Sequence, residues 1–306
     1  MTLLNSVFQI PSPLQRLSDK LFDETGIEVY IKRDDLIHDE VSGNKWRKLK
    51  FNIEKFHQGK YDSILTFGGA YSNHIAATAA LSRLFNIPAI GIIRGDELNE
   101  SSNQTLQKAN RDGMRLIFVS REEYSQRYER MYLEELRNKF GNTLIIPEGG
   151  ANHLGVFGVS EIISELPFTP DHIYTASGTG TTAAGLLNGS EQIKIHAVSS
   201  LKGDNYLHTE IKNLLYYTVL DESEVEQLME RLIVIEDCHF GGYGKYTSEL
   251  IDFIADFYKF HAIKLDQVYT GKMAYAFYKD LKSGQFKKGE KVVLLHTGGL
   301  QGITFE

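Results

Sequence analysis

The chain has 306 residues, of which 42% are hydrophobic and 24% are charged, and its formal net charge is −7 at pH 7. This composition is ordinary for a globular enzyme, and the length predicts two cores rather than one. Because the charge is negative and no block of five or more like charges occurs, the sequence argues against a nucleic acid or an anionic membrane surface as the main partner.

The cysteine usage and the N-terminal segment bear on the cellular compartment. The single cysteine, Cys238, cannot form an intrachain disulfide, which is compatible with a reducing cytosol. Residues 1–14 lack a basic region followed by an apolar stretch, and no apolar run approaches about 18 residues. We therefore predict a cytoplasmic protein without a signal peptide or a membrane span. No histidine has the spacing typical of a metal site, so no metal is expected.

The first 60 residues place one lysine at an unusual junction. We predict a helix over residues 14–22, a strand over 28–33, and a helix over 46–56 whose apolar residues recur at helical spacing. Lys45 follows a Ser-Gly-Asn turn between this strand and this helix. A lysine at such a strand-loop-helix junction has no obvious role on the surface.

Strands and helices then alternate along the rest of the chain, which is typical of parallel sheets. Strands are predicted at 63–67, 89–93, 115–119, 143–146, 172–176, 193–198 and 291–295, and residues 232–235 form a further apolar segment. Helices are predicted at 73–85, 104–112, 121–140, 156–166, 223–231 and 248–260, with others ending near 187 and 281. The glycine-rich segment 147–155 marks a domain boundary. We predict a large domain from residues 1–43 and 156–306 and a small α/β domain from 44–155.

A loop rich in glycine and threonine follows the strand at 172–176 and opens a helix. Its backbone N–H groups and the helix N-terminus favour a bound phosphate. Gly178, Gly180 and Ala183 also satisfy the dinucleotide-binding pattern, so a nicotinamide enzyme is an alternative. The next strand lacks an acidic residue at its end, and the hydroxyls of the loop favour a phosphate monoester. For the loop itself, a tight strand-to-helix turn that binds nothing is a further alternative. For the whole chain, a ligand-binding module without catalytic activity is another.

Two more loops carry polar side chains that could act in a site. Ser72 follows a buried strand and lies at or near a helix N-cap, but it is too close in sequence to His74 for the pair to form a hydrolase triad. Tyr243 and Tyr269 lie in glycine-containing loops, where their rings are not needed for helix or strand packing.

These motifs occur in the order of a known family. They are Ile31 to Leu36, Gly43 to Leu49, Ser72 to His74, Ile146 to Asn152, Ser177 to Gly185, Gly242 to Gly244, Val268 to Lys272, and His296 to Gly299. Together they resemble the family of 1-aminocyclopropane-1-carboxylate (ACC) deaminase and D-cysteine desulfhydrase, which are pyridoxal-phosphate enzymes. The resemblance covers nearly the whole chain. It implies a tryptophan-synthase β-like fold, with two open twisted α/β domains and the cofactor in the cleft between them.

The resemblance also implies a role for each motif residue. Lys45 would form the Schiff base with pyridoxal 5'-phosphate, and burial would lower its pKa for this task. The catalytic residues would be Lys45, Ser72, Tyr243 and Tyr269. The other cofactor contacts would be Asn73, Ser177, Gly178, Thr179, Gly180, Thr181, Thr182, Thr270 and Thr297. A small amino acid would be bound by Ser72, Asn73, His74, Tyr243 and Tyr269.

Two positions separate the chemistries within this family. Ring opening of ACC goes with a glutamate after the second tyrosine and a leucine after the last-strand histidine. Thr270 and Thr297 stand at these positions here. A hydroxyl beside the pyridine nitrogen implies a weaker electron sink than a carboxylate. We therefore expect a desulfhydrase-like β-elimination that yields pyruvate, ammonia and sulfide, with ACC deamination as the alternative, in a homodimer.

Overall fold

The computed structural model describes residues 7–41, 43–203 and 205–302. The strands are β1 Leu14–Arg16, β2 Glu28–Lys32, β3 Ser63–Gly69, β4 Ala89–Arg94, β5 Arg115–Val119, β6 Thr143–Ile146, β7 His172–Ser177, β8 Lys194–Ser199, β9 Leu232–Ile235 and β10 Lys291–Leu295. The first helices are α1 Lys20–Thr25, α2 Asn44–Gln58, α3 Asn73–Phe85, α4 Gln104–Arg111, α5 Arg121–Ser125 and α6 Arg130–Phe140. The others are α7 His153–Ser164, α8 Thr181–Asn188, α9 Tyr206–Val219, α10 Glu222–Met229, α11 Ser248–His261 and α12 Thr270–Lys282.

The strands form two separate sheets within the described residues. The larger has the order β1-β2-β10-β7-β8-β9 and the smaller β5-β4-β3-β6. Neighbouring strands are parallel except for β1, which pairs antiparallel with β2. The predicted α/β fold with two sheets is confirmed. The strands of the smaller sheet all come from residues 63–146, but the domain limits at residues 44 and 155 remain a prediction.

Strand β10 shows how the larger sheet is buried on both faces. Val292 and Leu294 pack into one hydrophobic cluster, whereas Val293 and Leu295 pack into another. Alternate residues of a strand point to opposite faces, and a parallel sheet covered by helices on both sides needs apolar residues at every position. The continuous apolar run of this strand therefore predicts its central place.

Three details of the predicted elements were wrong. Residues 14–22 do not form one helix, because Leu14–Arg16 pairs with β2 and the helix begins only after Asp19 caps its N-terminus. The helix predicted over 121–140 is broken into α5 and α6. Between them Arg127 reaches Glu148, with 2.8 Å from Nε to Oε2. Helix α9 was not predicted at all. None of the helices in the described ranges is long and apolar enough to cross a bilayer.

A buried ion cluster fixes helix α2 to the larger sheet. The Arg47 guanidinium, which is 1% exposed, donates to both oxygens of Asp34 at 2.7 and 2.8 Å. It also donates to both oxygens of Glu165 at 2.8 and 2.9 Å. The Lys32 amine donates to Glu165 at 2.7 Å. Bidentate pairing of this kind orients both partners, so the cluster sets the position of the helix that begins beside Lys45.

We expect Arg47→Met to lower the free energy of unfolding by about 3–5 kcal/mol, because it leaves the buried Asp34 carboxylate without its cation. Urea denaturation followed by circular dichroism measures the loss. Lys50→Ala is the matched control, because Lys50 lies in the same helix α2 and pairs with Glu161 of α7 but is partly exposed. It should cost about 0–1 kcal/mol. Equal losses for the two variants would contradict the special role of the buried cluster.

Candidate active site

Three of the loops that carry predicted site residues follow the carboxyl ends of parallel strands. Strand β3 ends shortly before Ser72, β7 ends at Ser177, and β10 ends at Leu295, just before Thr297. In open α/β sheets ligands bind at this end of the strands. The two sheets thus direct their loops to a common region at the N-terminus of helix α2.

Lys45 lies in the first turn of α2 and is enclosed without being fully buried. Its Nζ donates a hydrogen bond of 2.6 Å to Oδ1 of Asn44. Burial lowers the pKa of Lys45 from 10.5 to about 8, although the nearby Asp266 carboxylate opposes this shift. A neutral amine is the nucleophilic form. The lysine is therefore easier to deprotonate than one on the surface, as the sequence led us to expect.

Asn44 joins three parts of the site, and the sequence analysis did not identify it. Its Nδ2 donates to Oγ1 of Thr182 at 2.9 Å, and its backbone N–H donates to the carbonyl of Thr297 at 3.3 Å. The preceding Gly43 has a φ of 66°, and a Cβ there would lie 1.9 Å from the Thr297 carbonyl oxygen. Only glycine allows this close approach of two backbones. The junction at Lys45 is thus held directly against two of the predicted cofactor loops.

The loop from Ser177 to Thr182 has the properties of an anion site. Helix α8 begins after Gly180, which has a φ of 75°, and no side chain caps its N-terminus. Its first N–H groups are therefore open to an anion. The hydroxyls of Thr179 and Thr181 lie 3.0 Å apart. The Ser177 hydroxyl oxygen is buried, and no residue in the described ranges is hydrogen bonded to it. Such an orphaned polar group requires a partner that the chain does not supply.

A second lysine, Lys48, lies one turn beyond Lys45 and is 5% exposed. Within the described ranges no carboxylate forms an ion pair with it. Burial, and then the positive charge of Lys45, lower the pKa of Lys48 well below its ordinary value. A buried cation without a paired carboxylate is costly, and a bound anion would offset that cost. Lys48 is thus a second buried group of this region, beside Lys45, that a bound anion would stabilise.

His74 is a buried residue close to Lys45 and Lys48. Its Nε2 is 2.8 Å from Oγ1 of Thr66, while its buried Nδ1 has no hydrogen-bond partner in the part of the chain described. Burial, followed by the charges of Lys45 and Lys48, lowers the pKa of His74 to about 3. The imidazole is therefore neutral at physiological pH and cannot act as an imidazolium acid. The predicted contact of His74 with a substrate remains a prediction, and the side chain is only 3% exposed.

Ser72 and Asn73 occupy the start of helix α3. The Ser72 hydroxyl accepts the N–H of Ile75 at 3.3 Å, so this serine is the N-cap. Oδ1 of Asn73 accepts from Nε2 of Gln301 at 3.0 Å, and Nδ2 of Asn73 lies 3.1 Å from where a Cβ on Gly299 would be. Asn73 is thus brought to the loop after β10, although it is more than 200 residues away in the sequence.

Asp266 is a buried acid that the sequence analysis missed. Its carboxylate accepts three backbone N–H groups, those of Val268, Tyr269 and Thr270, at 2.8 to 2.9 Å. It also accepts the hydroxyl proton of Thr270 at 2.7 Å, while the Thr270 oxygen accepts the N–H of Asp266 at 2.9 Å. The single proton of the Thr270 hydroxyl is therefore committed. Toward a ligand, Thr270 can offer only a lone pair.

The two predicted tyrosines meet at one side of the site. The rings of Tyr243 and Tyr269 are 6.1 Å apart with an angle of 69° between their planes. A Cβ on Gly178 would lie 3.6 Å from the Tyr269 ring, so this ring lies against the glycine-rich loop. Burial, and then the neighbouring Tyr243 phenol, raise the pKa of Tyr269 well above 10. The phenol of Tyr269 thus keeps its proton at neutral pH.

Comparisons with known proteins identify the family of this chain. The family described as pyridoxal-phosphate dependent enzyme matches residues 6–298. The mitochondrial bifunctional D-cysteine desulfhydrase/1-aminocyclopropane-1-carboxylate deaminase of Arabidopsis thaliana is 31% identical, over 97% of this chain and 78% of its own. This chain belongs to the pyridoxal-phosphate dependent enzymes. The resemblance to the ACC deaminase and D-cysteine desulfhydrase family is thereby confirmed, as are the class of enzyme and its cofactor.

Solved structures agree with this assignment. The structure of an ACC deaminase homologue superposes with a TM-score of 0.80 at 28% identity, covering 97% of this chain and 91% of that one. A hydrogen sulfide-producing enzyme from Fusobacterium nucleatum has a TM-score of 0.68 at 17% identity over 96% of this chain and 97% of its own. The second comparison shows the shared fold alone. The fold predicted from the motifs is therefore confirmed.

The residues present fit pyridoxal phosphate. The orphaned Ser177 hydroxyl, the uncapped start of α8 and the Lys48 amine suit its phosphate. The Lys45 amine, with its lowered pKa, suits the covalent bond to its aldehyde. Asn44, Lys48 and Asp266 complete this set, and each lies within or beside a motif that the sequence already showed. In the sequence, only the motifs that contain or adjoin Asn44, Lys48 and Asp266 could have pointed to these three residues.

The lowered pKa of Lys45 predicts the pH dependence of cofactor attachment. The protonated amine cannot attack an aldehyde, so the rate should rise as the pH increases through about 8 and level off above it. Stopped-flow absorbance after mixing the cofactor-free protein with pyridoxal phosphate measures this rate. Free pyridoxal phosphate with N-acetyl-lysine is the reference, whose midpoint lies near the ordinary lysine pKa. A midpoint for the protein as high as that of the reference would contradict the burial argument.

Proposed function

We propose that this enzyme is a lyase that acts on a small amino acid by β-elimination, as a D-cysteine desulfhydrase does. D-cysteine and one water would give pyruvate, ammonia and hydrogen sulfide. Bound pyridoxal phosphate supplies an electron sink that acidifies the α-carbon of an attached amino acid. The observation that supports the reaction type is the hydroxyl of Thr270, which stands where the ring-opening deaminases of the family carry a glutamate.

The proposed roles follow from the position of each side chain. Lys45 would hold the cofactor through its amine, and the same amine, with its lowered pKa, would serve as the base for the α-proton of the substrate. The glycine-rich loop and Lys48 hold the phosphate. At the start of α3, Asn73 would bind the phenolic oxygen of the cofactor and Ser72 the carboxylate of the substrate. Helix N-termini favour such anions. This set would keep the α-proton of the substrate directed toward Lys45.

Tyr243 and Tyr269 would line the opposite side of the substrate. Tyr269 keeps its proton, so it can donate a hydrogen bond or a proton to a departing thiolate. Tyr243 is 49% exposed and lies nearer to solvent, so it can contact the β-substituent where the substrate enters. We place Thr270 and Thr297 at the edge of the cofactor ring, with Thr270 as a hydrogen-bond acceptor for a protonated ring nitrogen.

Deamination of ACC is the second candidate, and one observation favours it. The carboxylate of Asp266 accepts a hydrogen bond of 2.7 Å from the Thr270 hydroxyl. A carboxylate would therefore act on the edge of the cofactor ring through Thr270 rather than directly. This arrangement stabilises positive charge at the ring more than an isolated hydroxyl would. A threonine at position 270 is therefore compatible with ACC ring opening as well.

The test is a panel of D- and L-amino acids that includes D-cysteine and ACC, with the release of keto acid and ammonia measured for each. A higher kcat/KM for D-cysteine, with sulfide release, supports the first candidate. A higher value for ACC, with 2-oxobutanoate as product, supports the second. No turnover of any member by the holoenzyme would contradict both. A cytoplasmic location and a homodimer remain predictions.

A double variant then tests the two positions that separate the chemistries. Thr270→Glu with Thr297→Leu should shift the ratio of kcat/KM values toward ACC. Because Thr270 is fully buried beside Asp266, Thr270→Glu is also made with Asp266→Asn to avoid two adjacent carboxylates. An unchanged ratio in variants that fold and bind the cofactor would contradict the role assigned to position 270.

A further inference from the structure

The loop that carries Tyr243 has an unusual backbone. Four residues in it have positive φ values: Phe240 at 51°, Gly241 at 97°, Gly242 at 112° and Gly244 at 68°. The loop lies between a strand and a helix, and its own backbone hydrogen bonds join only His239 to Gly242 and Gly242 to Lys245. A glycine-rich segment loses much conformational entropy when it is ordered. Contacts from outside the loop must therefore help to hold it.

Lys272 supplies such a contact. Its side chain is 0% exposed, and its Nζ donates to the carbonyl of His239 at 2.7 Å and to the carbonyl of Gly242 at 2.9 Å. The second carbonyl belongs to the residue immediately before Tyr243. One buried amine thus ties together both ends of the turn that precedes the tyrosine.

The cost of burying this amine points to a specific role. No carboxylate in the described ranges forms an ion pair with Lys272, although the charge of Asp266 acts on it from farther away. Burial lowers the pKa of Lys272 to about 8, which reflects that cost. A buried cation of this kind destabilises a fold unless its hydrogen bonds offset the loss of water. An apolar side chain would fill the same space at less cost if packing were its only purpose.

Lys272 also lies on the element that carries the other site residues of this region. It is in the first turn of helix α12, which begins at Thr270, and Asp266 fixes that start through the N–H groups of residues 268 to 270. Tyr269 precedes the helix and contacts the ring of Tyr243. The same rigid turn therefore sets the positions of Tyr269 and Thr270, and through Lys272 it reaches the loop of Tyr243.

We infer that Lys272 is a positioning residue that holds Tyr243 at the substrate side of the site by fixing the carbonyls of His239 and Gly242. This inference rests on the proposed function, because it assigns Tyr243 a contact with the substrate. Lys272 itself does not touch the reacting atoms. Its effect on the reaction should therefore pass through Tyr243.

A double-mutant cycle tests this coupling. Lys272→Met keeps the length and volume of the side chain but removes its hydrogen bonds. In the holoenzyme with its best substrate from the panel, it should lower kcat/KM by about 10- to 100-fold, because a small misplacement of a contacting group has effects of this size. In a Tyr243→Phe background the same substitution should lower kcat/KM by less than about 3-fold. Equal losses in the two backgrounds would overturn the inference.

Two further measurements separate positioning from general stability. The affinity for pyridoxal phosphate and the visible absorption band should be nearly unchanged in Lys272→Met, since the lysine does not contact the cofactor loop. Hydrogen exchange of the amides from residue 240 to 244 should rise about 10-fold, and this readout needs no substrate. The matched control is Lys279→Met, because Lys279 lies in the same helix but forms an exposed ion pair with Asp237. It should change neither the cofactor affinity and absorption band nor the hydrogen exchange of residues 240 to 244.

The outcomes distinguish failure of this inference from failure of the proposed function. If Tyr243→Phe leaves kcat/KM unchanged, the role of the tyrosine is wrong, while the exchange experiment still decides whether Lys272 holds the loop. If Lys272→Met does not fold, Lys272→Gln replaces it in the same cycle, because glutamine stays polar but its amide nitrogen is one bond nearer the backbone, which weakens the contacts with the two carbonyls. If neither variant folds, Lys272 is a general structural residue and the inference is overturned.

Discussion

Replacement of Lys45 by alanine is expected to lower the kcat of the enzyme on the order of 10⁴-fold or more, because no other amine takes its position. Lys48 is one turn away, but in our proposal its amine binds the phosphate of the cofactor. The variant should bind pyridoxal phosphate without the absorption band of a lysine-bound cofactor. Steady-state kinetics and an absorption spectrum after gel filtration measure both effects.

The control for this variant is Lys50→Ala, which removes a lysine from the same helix at its contact with Glu161. That substitution should leave the spectrum and kcat within about twofold of wild type. If Lys45→Ala retained the band, another lysine would carry the cofactor, and reduction with borohydride followed by peptide mapping would identify it. Lys48 would be the first residue to examine in that case.

Gly43→Ala is expected to lower the free energy of unfolding by about 3 kcal/mol or more and to abolish stable cofactor binding. Gly43 has a φ of 66° and a ψ of −149°, a combination that is essentially restricted to glycine. A Cβ there would lie 1.9 Å from the Thr297 carbonyl oxygen, so one of the two backbones would have to move. Either movement displaces the start of helix α2, which carries Asn44 and Lys45. Thermal unfolding and cofactor titration measure the two effects.

Gly113→Ala is the matched control for this prediction. Gly113 also has a positive φ, 88°, but a Cβ there would meet no atom within 4 Å. Only the backbone strain remains, which costs about 1 kcal/mol, and the cofactor site is not involved. Similar losses of stability for the two variants, with cofactor binding intact in both, would show that the contact with Thr297 does not constrain the site.

Much of the fold follows from local patterns in the chain. Strands β5, β6 and β10 and helix α3 begin and end where the sequence predicts. Parallel strands buried on both faces appear as short apolar runs, and the glycines and capping residues between them mark the turns. The motif order was also sufficient to identify the family, and the matches with known proteins confirmed it.

The errors in the predicted elements have tertiary causes. Residues 14–16 have helix-compatible spacing, but their backbone groups pair with β2, and strand propensity depends strongly on such context. The chain near Arg127 turns away from a continuous helix where the guanidinium stacks 4.9 Å from the Tyr124 ring and pairs with Glu148. The partners β2 and Glu148, unlike Tyr124, lie outside the local sequence windows from which these elements were predicted.

The sequence by itself determined the class of chemistry. A lysine in a fixed motif, a glycine-rich loop and two tyrosine loops, in that order, resemble the pyridoxal-phosphate enzymes, and the family match confirmed this class. Only the tertiary structure decided the ionisation state of Lys45 and the hydrogen bonding of Thr270. The pKa of Lys45 is lowered by its burial and this shift is opposed by Asp266, which is far from Lys45 in the chain but near it in the fold; Asp266 also accepts the hydroxyl proton of Thr270. Burial and charge proximity set a pKa, and neither is a local property of the sequence.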